Sequence, residues 1–510
     1  MLIRMLDFVI VGASFLLRWV VSLGPYSGKN TSPLFGDYEA QRHWMELTLH
    51  QPLSKWYFFD LEYWGLDYPP LTAYHMLLCG KIAHYLNPSW VADGSSRGFE
   101  SFDHQVFMRL TVLAGDLLLL VPAALLLKKK IGKLAYLGLL FNPCLILVDH
   151  GHFQYNSISL SLAIIAACLV TEANLSKRLL GAIIFTTSLF YKQMQLYHAL
   201  PFFFILLGQA SKQKTLLGKL TEVGLYGTSV IVTSSVILSP FILFTNDPAA
   251  QLGQIAHRLF PFARGLFEDK VANVWCLLHT LFKVKNTIPA EAQLELAALL
   301  TLICATLPCL RLLWDQSAKA MANAMTGSAL AFFLLSFQVH EKQCLLFVLP
   351  ALLLADTNLN FVIILTHTAF FSLLPLSVKD SNIGYYAALR LMSYGVIVLL
   401  RTEMKRDFTR INKVIPGMLD GRNGGFAPIF GAYFILQEIM LYVTHTAKPP
   451  TKYPDMWQVI ISSFCCGVFV ILYLIQLIFS LKTEKVQRID LMTEKVLAIR
   501  RKNKNLKKTE

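Results

Sequence analysis

The sequence predicts an all-α polytopic membrane protein, and three observations carry that expectation. Hydrophobic residues occupy 55% of the 510 positions and charged residues 15%, with a mean hydropathy of +0.50. That is more apolar surface than one soluble core of this length buries. Apolar runs at 117–127, 231–243, 297–307 and 468–481 recur between short polar breaks, the pattern of spans that each need ~20 mostly apolar residues. Basic residues sit in the breaks: Lys128, Lys129, Lys130 and Lys133; Lys212 and Lys214; Lys405, Arg406 and Arg410. Spread in this way, the net charge of +14 marks membrane sidedness rather than a nucleic-acid footprint. Lipid offers backbone polar groups no partner, so the spans are helical.

The first apolar segment, 6–23, carries Arg18 and has no small-residue cleavage site after it, so it reads as a retained span rather than a signal peptide. Further spans follow near 105–127, 134–150, 155–172, 178–191, 195–210, 222–244, 292–314, 319–338, 343–356, 359–377, 383–401, 427–445 and 456–481. The expected total is about 14 transmembrane helices. An even count places both termini on one side. With the lysine-rich breaks cytoplasmic, segments 128–133, 177–178, 212–219, 401–413 and 482–510 all fall on that side. Residues 1–481 then form one transmembrane domain and 482–510 a basic cytoplasmic tail. Its last residues, Lys507-Lys508-Thr509-Glu510, fit a dilysine address for retrieval to the endoplasmic reticulum, or a plain basic terminus. The nine cysteines are scattered without CxxC or His/Cys ligand spacing, so neither a disulfide framework nor a structural zinc is expected.

Two segments on the other face, 24–104 and 245–291, are too long to be turns and are expected to carry function. The first is rich in aromatic residues, including Trp44, Trp56, Tyr57, Trp64, Tyr68 and Trp90, suited to short helices lying at the lipid headgroup level. Asn30-Thr31-Ser32 in this loop is a glycosylation sequon. Asn174-Leu175-Ser176 falls on the predicted cytoplasmic side and is expected to stay unused.

Charge is densest in Gly36-Asp37-Tyr38-Glu39-Ala40-Gln41-Arg42-His43-Trp44-Met45-Glu46. Asp37 follows a glycine at the expected start of a helix, where a carboxylate serves as a base or caps backbone N–H groups. Arg42 in the same stretch is a candidate substrate contact. Asp67 is the rival base, although Tyr68-Pro69-Pro70 after it suits a turn. His150, His152 and Gln154, with Asn156, follow the third span. Two histidines beside Asp149 lack the third placed ligand of a metal site, and contact with sugar hydroxyls or helix-end packing explains them better. His340 and Lys342 close a span on the same face, for phosphate contact or headgroup anchoring. Lys192, next to Gln193, offers the same choice. Arg258, Arg264 and Lys270 in the second long loop are phosphate ligands or solvated charges.

Several longer stretches carry a resemblance: GPYSGKN from Gly24, FGDYEAQRHWMELT from Phe35, YWGLDYPPLTAYH from Tyr63, DHGHFQYNSI from Asp149, HRLFPFARGLFEDKVANVWC from His257 and VHEKQ from Val339. They span most of the chain and resemble the dolichyl-phosphate-glucose-dependent α-1,3-glucosyltransferases of the endoplasmic reticulum. The resemblance implies a GT-C type glycosyltransferase that uses dolichyl phosphate glucose as donor and a dolichyl-pyrophosphate-linked high-mannose oligosaccharide as acceptor. It implies inverting transfer without a metal or other cofactor, and a lumenal site. In that family the aspartate of the first lumenal loop is the catalytic base, a position that falls on Asp37. The enzyme adding the second glucose shares the LDYPP and HEK wording but typically lacks GDYEAQRHWM, which favours addition of the first.

Chemistry and resemblance agree. Inversion needs one base for the attacking hydroxyl while the donor phosphate leaves from the opposite face. A phosphate with a second pKa near ~6 leaves without a proton from another acid. Fixed cations then stabilise the departing charge. Rival readings are the second-glucose enzyme or a mannosyltransferase, a membrane transporter, for which no internal repeat is visible, and a noncatalytic assembly factor.

Overall fold

The computed structural model describes residues 5–260, 271–414 and 427–481, and every regular element among them is helical. Arg264, Lys270 and the tail 482–510 with its dilysine pattern lie outside the described residues. Helix α1 (Met5–Ser22) leads into the first long loop, which carries α2 (Asp37–His50) and α3 (Pro70–Leu86). The helical body follows with α4 (Phe102–Lys130), α5 (Lys133–Phe153), α6 (Asn156–Val170), α7 (Leu175–Tyr191), α8 (Ala199–Ser211) and α9 (Leu216–Leu243). The second loop holds α10 (Pro248–Leu259) and α11 (Val274–Phe282). After it come α12 (Ala290–Leu313), α13 (Ala318–Leu335), α14 (Glu341–Lys379), α15 (Ile383–Val414), α16 (Ala427–Thr446) and α17 (Met456–Leu481).

Eight of the described helices, α1, α4, α5, α9, α12, α13, α14 and α17, are long and apolar enough to cross a membrane, while α6 and Ile383–Leu399 are apolar but shorter. Where the sequence predicts separate spans at 343–356 and 359–377, α14 runs as one helical stretch of 39 residues. Asn358 breaks it, at φ −147° and ψ 51°. The stretch doubles back there, because Lys342 at its start and Asp380 just past its end both reach His152.

Two of the hydrophobic cores among the described residues are large. The larger joins α5, α13, α14 and α17 through Leu139, Phe333, Phe347, Phe370 and Phe469. Its counterpart is built largely by the first loop, whose Trp44, Trp56, Tyr57 and Trp90 belong to it, with Trp56 and Tyr57 against Phe241 of α9. Trp44, Trp56, Tyr57 and Trp90 are themselves buried in this cluster, whereas Phe58 of the same loop is 45% exposed. By contrast, Ile231 and Val236 of α9 are 67% and 66% exposed, an outward apolar surface suited to lipid.

The opposite end of the bundle is tied by ion pairs between the basic breaks. Lys128 meets Asp7, Lys130 and Lys177 meet Glu172, and Arg178 meets Glu222. Asn174 accepts from the Ser176 and Lys177 N–H groups and so caps α7. Arg18, the charge that interrupts the first apolar segment, is fully buried. It donates to Asp116 Oδ2 of α4 at 2.7 Å and to the Leu140 carbonyl of α5 at 2.7 Å, which binds α1 into the fold.

Candidate active site

Asp37 is the first residue of α2, and its geometry separates the two readings the sequence leaves open. The capping position belongs to Gly36, which has no side chain to cap with. A β-carbon on Gly36 would stand 2.5 Å from Ser27 Oγ. Glycine therefore lets the two strands of chain touch, and Ser27 Oγ accepts from the Asp37 N–H at 3.1 Å. The carboxylate itself turns away from the backbone. Its Oδ2 accepts from Lys342 Nζ at 2.6 Å, from His152 Nε2 at 3.0 Å, and from the Gln154 amide.

These partners arrive from distant parts of the chain. His152 lies in a π-helical turn that ends α5, Ile146–Phe153, a distortion that often re-aims side chains at functional sites. Phe153 takes φ 91°, unusual for a bulky residue, and its backbone turns the chain from the helix into extended Gln154. Lys342 comes from the short turn Glu341–Cys344 that opens α14. Burial by itself would raise the Asp37 carboxyl, but the Lys342 ammonium and His152 beside it hold it well below the usual carboxylate range. Asp37 is thus ionised at neutral pH, with 22% of its side chain still exposed to a cavity.

That cavity, about 470 Å³, is lined by both polar and apolar residues. Asp37, Asp67, Gln154, Lys192, Arg258, His340 and Lys342 all line it, so the structure brings together seven of the residues singled out in the sequence. Leu160, Leu196, Phe332, Leu345 and Leu346 are among its apolar lining residues. Lys192 donates to Gln154 Oε1 at 3.2 Å and sits 4.9 Å from the centre of the Tyr68 ring. Gln154 thereby links Lys192 to Asp37. Arg258 donates to the carbonyls of Gly65 at 2.8 Å and Leu66 at 3.1 Å, tying the second long loop to the first. The Asp67 carbonyl accepts from Gln193 at 3.1 Å. A larger cavity of about 580 Å³, walled by residues such as Leu374, Leu441 and Trp457, includes none of the candidates. Convergent polar groups, rather than size, mark the first cavity as the candidate site.

Two predicted contacts are corrected. Arg42 has no exposed surface: it is enclosed by Glu39 at 2.7 Å and Glu46 at 2.7 Å, with Ser96 at 2.5 Å. It pins α2 inside the first loop and has nothing to offer a substrate. Burial would raise Glu46, yet His43 and the Arg42 guanidinium beside it bring its carboxyl down to about 2. His150 likewise points into the bundle, 2.9 Å from Asp116 Oδ2 and 3.2 Å from Ser22 Oγ. Asp149 caps α6 through Asn156 Nδ2 at 2.8 Å and the Ser157 N–H at 2.7 Å. One turn of chain therefore sends Asp149, His150 and His152 to three different places. No group of three or more His, Cys, Asp or Glu is arranged to hold a metal ion among the described residues.

Sequence reasoning passed over Asp380, whose Oδ2 lies 2.5 Å from His152 Nδ1. Its signal was a carboxylate just beyond the 359–377 apolar run, on the same predicted face as Asp37. Asp116 was also missed, a lone acid inside an otherwise apolar span.

Compared with known families, residues 14–475 match the ALG6, ALG8 glycosyltransferase family. A rat protein named dolichyl pyrophosphate Man9GlcNAc2 alpha-1,3-glucosyltransferase is 40% identical over 493 residues, covering 91% of this chain and 94% of its own length. The Saccharomyces cerevisiae protein of the same name is 37% identical, with 91% and 90% covered. A Drosophila melanogaster protein named as a probable enzyme of that kind is also 37% identical, with 91% and 97% covered. The chain belongs to the ALG6, ALG8 glycosyltransferase family and is a membrane glycosyltransferase of the GT-C type.

Proposed function

We propose that this member of the family transfers the first glucose from dolichyl phosphate glucose to the terminal mannose of the dolichyl-pyrophosphate-linked high-mannose oligosaccharide, forming an α-1,3 linkage with inversion. The observation that carries the reading is the convergence of an ionised Asp37, two lysines and an arginine on one cavity that is also lined by apolar residues. A lipid-linked sugar phosphate has those same parts: an apolar chain, an anionic phosphate and a polar sugar.

In the proposed reaction the mannose hydroxyl oxygen bonds to the glucose anomeric carbon as the bond from that carbon to the phosphate oxygen breaks. The hydroxyl proton goes to Asp37, and the electron pair leaves with dolichyl phosphate. A carboxylate held this far down is a weak base. It suffices, because the hydroxyl becomes strongly acidic once its oxygen shares electrons with an oxocarbenium-like carbon. The cations that line the cavity, Lys342, Lys192 and Arg258, are the proposed partners of the charge that collects on the phosphate. Asp67 and His340 in the same lining are proposed sugar or phosphate contacts.

The proposed setting is the endoplasmic reticulum membrane, with the cavity lumenal and both termini cytoplasmic. The lysine-bearing ends of the helices, paired at Lys128, Lys130 and Lys177, support it by lying opposite Asp37. The test is glucose transfer by the purified protein in detergent, with a chelator present, on two acceptors. Transfer from dolichyl phosphate glucose to the unglucosylated glycolipid is expected. Activity confined to the monoglucosylated acceptor would replace this reading with second-glucose addition.

A further inference from the structure

Asp380 lies 228 residues beyond His152 in sequence yet 2.5 Å from it in space, and the proposed reaction gives it no task. Asp380 is buried, 6% exposed, at the end of α14, and does not line the cavity. His152 stands between it and Asp37: Nδ1 faces Asp380 Oδ2, and Nε2 faces Asp37 Oδ2 at 3.0 Å. Ionised carboxylates accept hydrogen bonds and donate none. With both carboxylates ionised, a proton on each ring nitrogen satisfies both contacts, and the ring is then an imidazolium.

The other charges around the ring do not favour that state alone. Lys342 Nζ, from the start of α14, is 3.2 Å from Nε2 and opposes a second positive charge there. Arg109, from α4, donates to the neighbouring Gly151 carbonyl at 3.0 Å and adds to the opposition. Asp37 is shared between Lys342 and His152. With Asp380 the cluster holds two carboxylates, one ammonium and one imidazolium. Without it, one carboxylate faces two cations.

We infer that Asp380 is a positioning residue for the glucosyl-transfer site: it keeps His152 doubly protonated and aimed at Asp37, so that the base stays ionised and fixed in orientation. This rests on the transferase reading for its effect on rate, but the protonation of His152 is measurable without any substrate. An anion beside an imidazolium favours the charged form, so its removal lets His152 lose a proton at lower pH.

The experiment compares the full-length wild type with Asp380→Asn, which keeps an oxygen acceptor but loses the charge, and with Asp380→Glu, which restores it. Titration of the His152 ring by ¹⁵N NMR, its resonance assigned with His152→Gln, is expected to drop by about one to three pH units in Asp380→Asn. It is expected to return toward wild type in Asp380→Glu. In glucose transfer, the high-pH limb of kcat should move down by a similar amount in Asp380→Asn while the KM for the donor stays near wild type. An unchanged ring titration overturns the inference, as does a uniform loss of activity with no movement of the limb. If Asp380→Asn fails to fold, a wild-type ring already neutral at pH 7 overturns it, and a doubly protonated ring there sustains it. Should the wild type transfer no glucose, the transferase reading falls, and the titration alone decides the role of Asp380.

Discussion

Helix α2 carries two charged clusters little more than a turn apart, and they are built on opposite plans. Around Arg42 the partners are local: Glu39 and Glu46 lie three and four residues away on the same helix, and the whole group is sealed inside the first loop. Around Asp37 the partners are remote: His152 and Lys342 are 115 and 305 residues away, and the carboxylate still opens to the cavity. The sealed cluster holds the loop together, since a buried charge with all its partners in place has no free valence. The open one gathers distant segments of chain around an ionised carboxylate, the proposed base.

Replacing the key residue of each cluster tests that contrast most sharply. Asp37→Asn is expected to cut glucose transfer by about 10²–10⁴-fold while the melting temperature in detergent stays close to wild type. Full activity in that variant would return Asp37 to a packing role and move attention to Asp67. Arg42→Ala should behave in the opposite way. It leaves Glu39 and Glu46 buried without their cation, a loss of about 3–5 kcal/mol. Size-exclusion profiles and thermal melts should therefore show unfolded or aggregated protein before any catalytic defect can be measured. A well-folded but inactive Arg42→Ala would instead assign Arg42 to substrate.

A smaller effect separates the two partners of Asp37. Its carboxyl lies well below the usual range, so its ionised form is favoured in the folded site above that range, and the advantage is lost as pH falls. Removing the nearest cation with Lys342→Met makes Asp37 take up a proton at higher pH. The acid limb of the rate profile should rise by about one to three pH units. An unmoved limb would mean that Lys342 serves the donor phosphate alone. Smallest is Arg258→Ala, which frees the Gly65 and Leu66 carbonyls and loosens the second loop from the first by about 1.5–3 kcal/mol. Faster hydrogen exchange near 61–68, with a modest fall in transfer, is the expected result. Unaltered exchange would show that the loops are held by their aromatic contacts.

Much of the molecule is legible in the chain because the membrane writes long, regular signals. The apolar runs, the lysines between them and the first long loop correspond to the helices, the ion-paired end and the aromatic core of the structure. The wording around Asp37, His152, Gln154, Lys192 and Lys342 was visible too, as polar residues at helix ends on one predicted face. What the chain did not disclose is direction. His150 and His152 are two residues apart, yet a π-turn sends one to Asp116 and the other to Asp37. Nothing in the spelling DHGH distinguishes them. Arg42 and Asp37 share one charged stretch, and only their burial in the fold separates the enclosed strut from the proposed base.

By itself, then, the sequence determined that this protein is helical, spans a membrane and carries the motifs of a glycosyltransferase family, since hydropathy and long motifs are properties of the chain read in order. The tertiary structure decided which charges meet. It placed Asp380 against His152 and Lys342 against Asp37, because the fold-back of α14 at Asn358 brings both of its ends to one site. Electrostatic partnership depends on distance through space, a quantity that separations of 228 and 305 residues leave open until the helices pack.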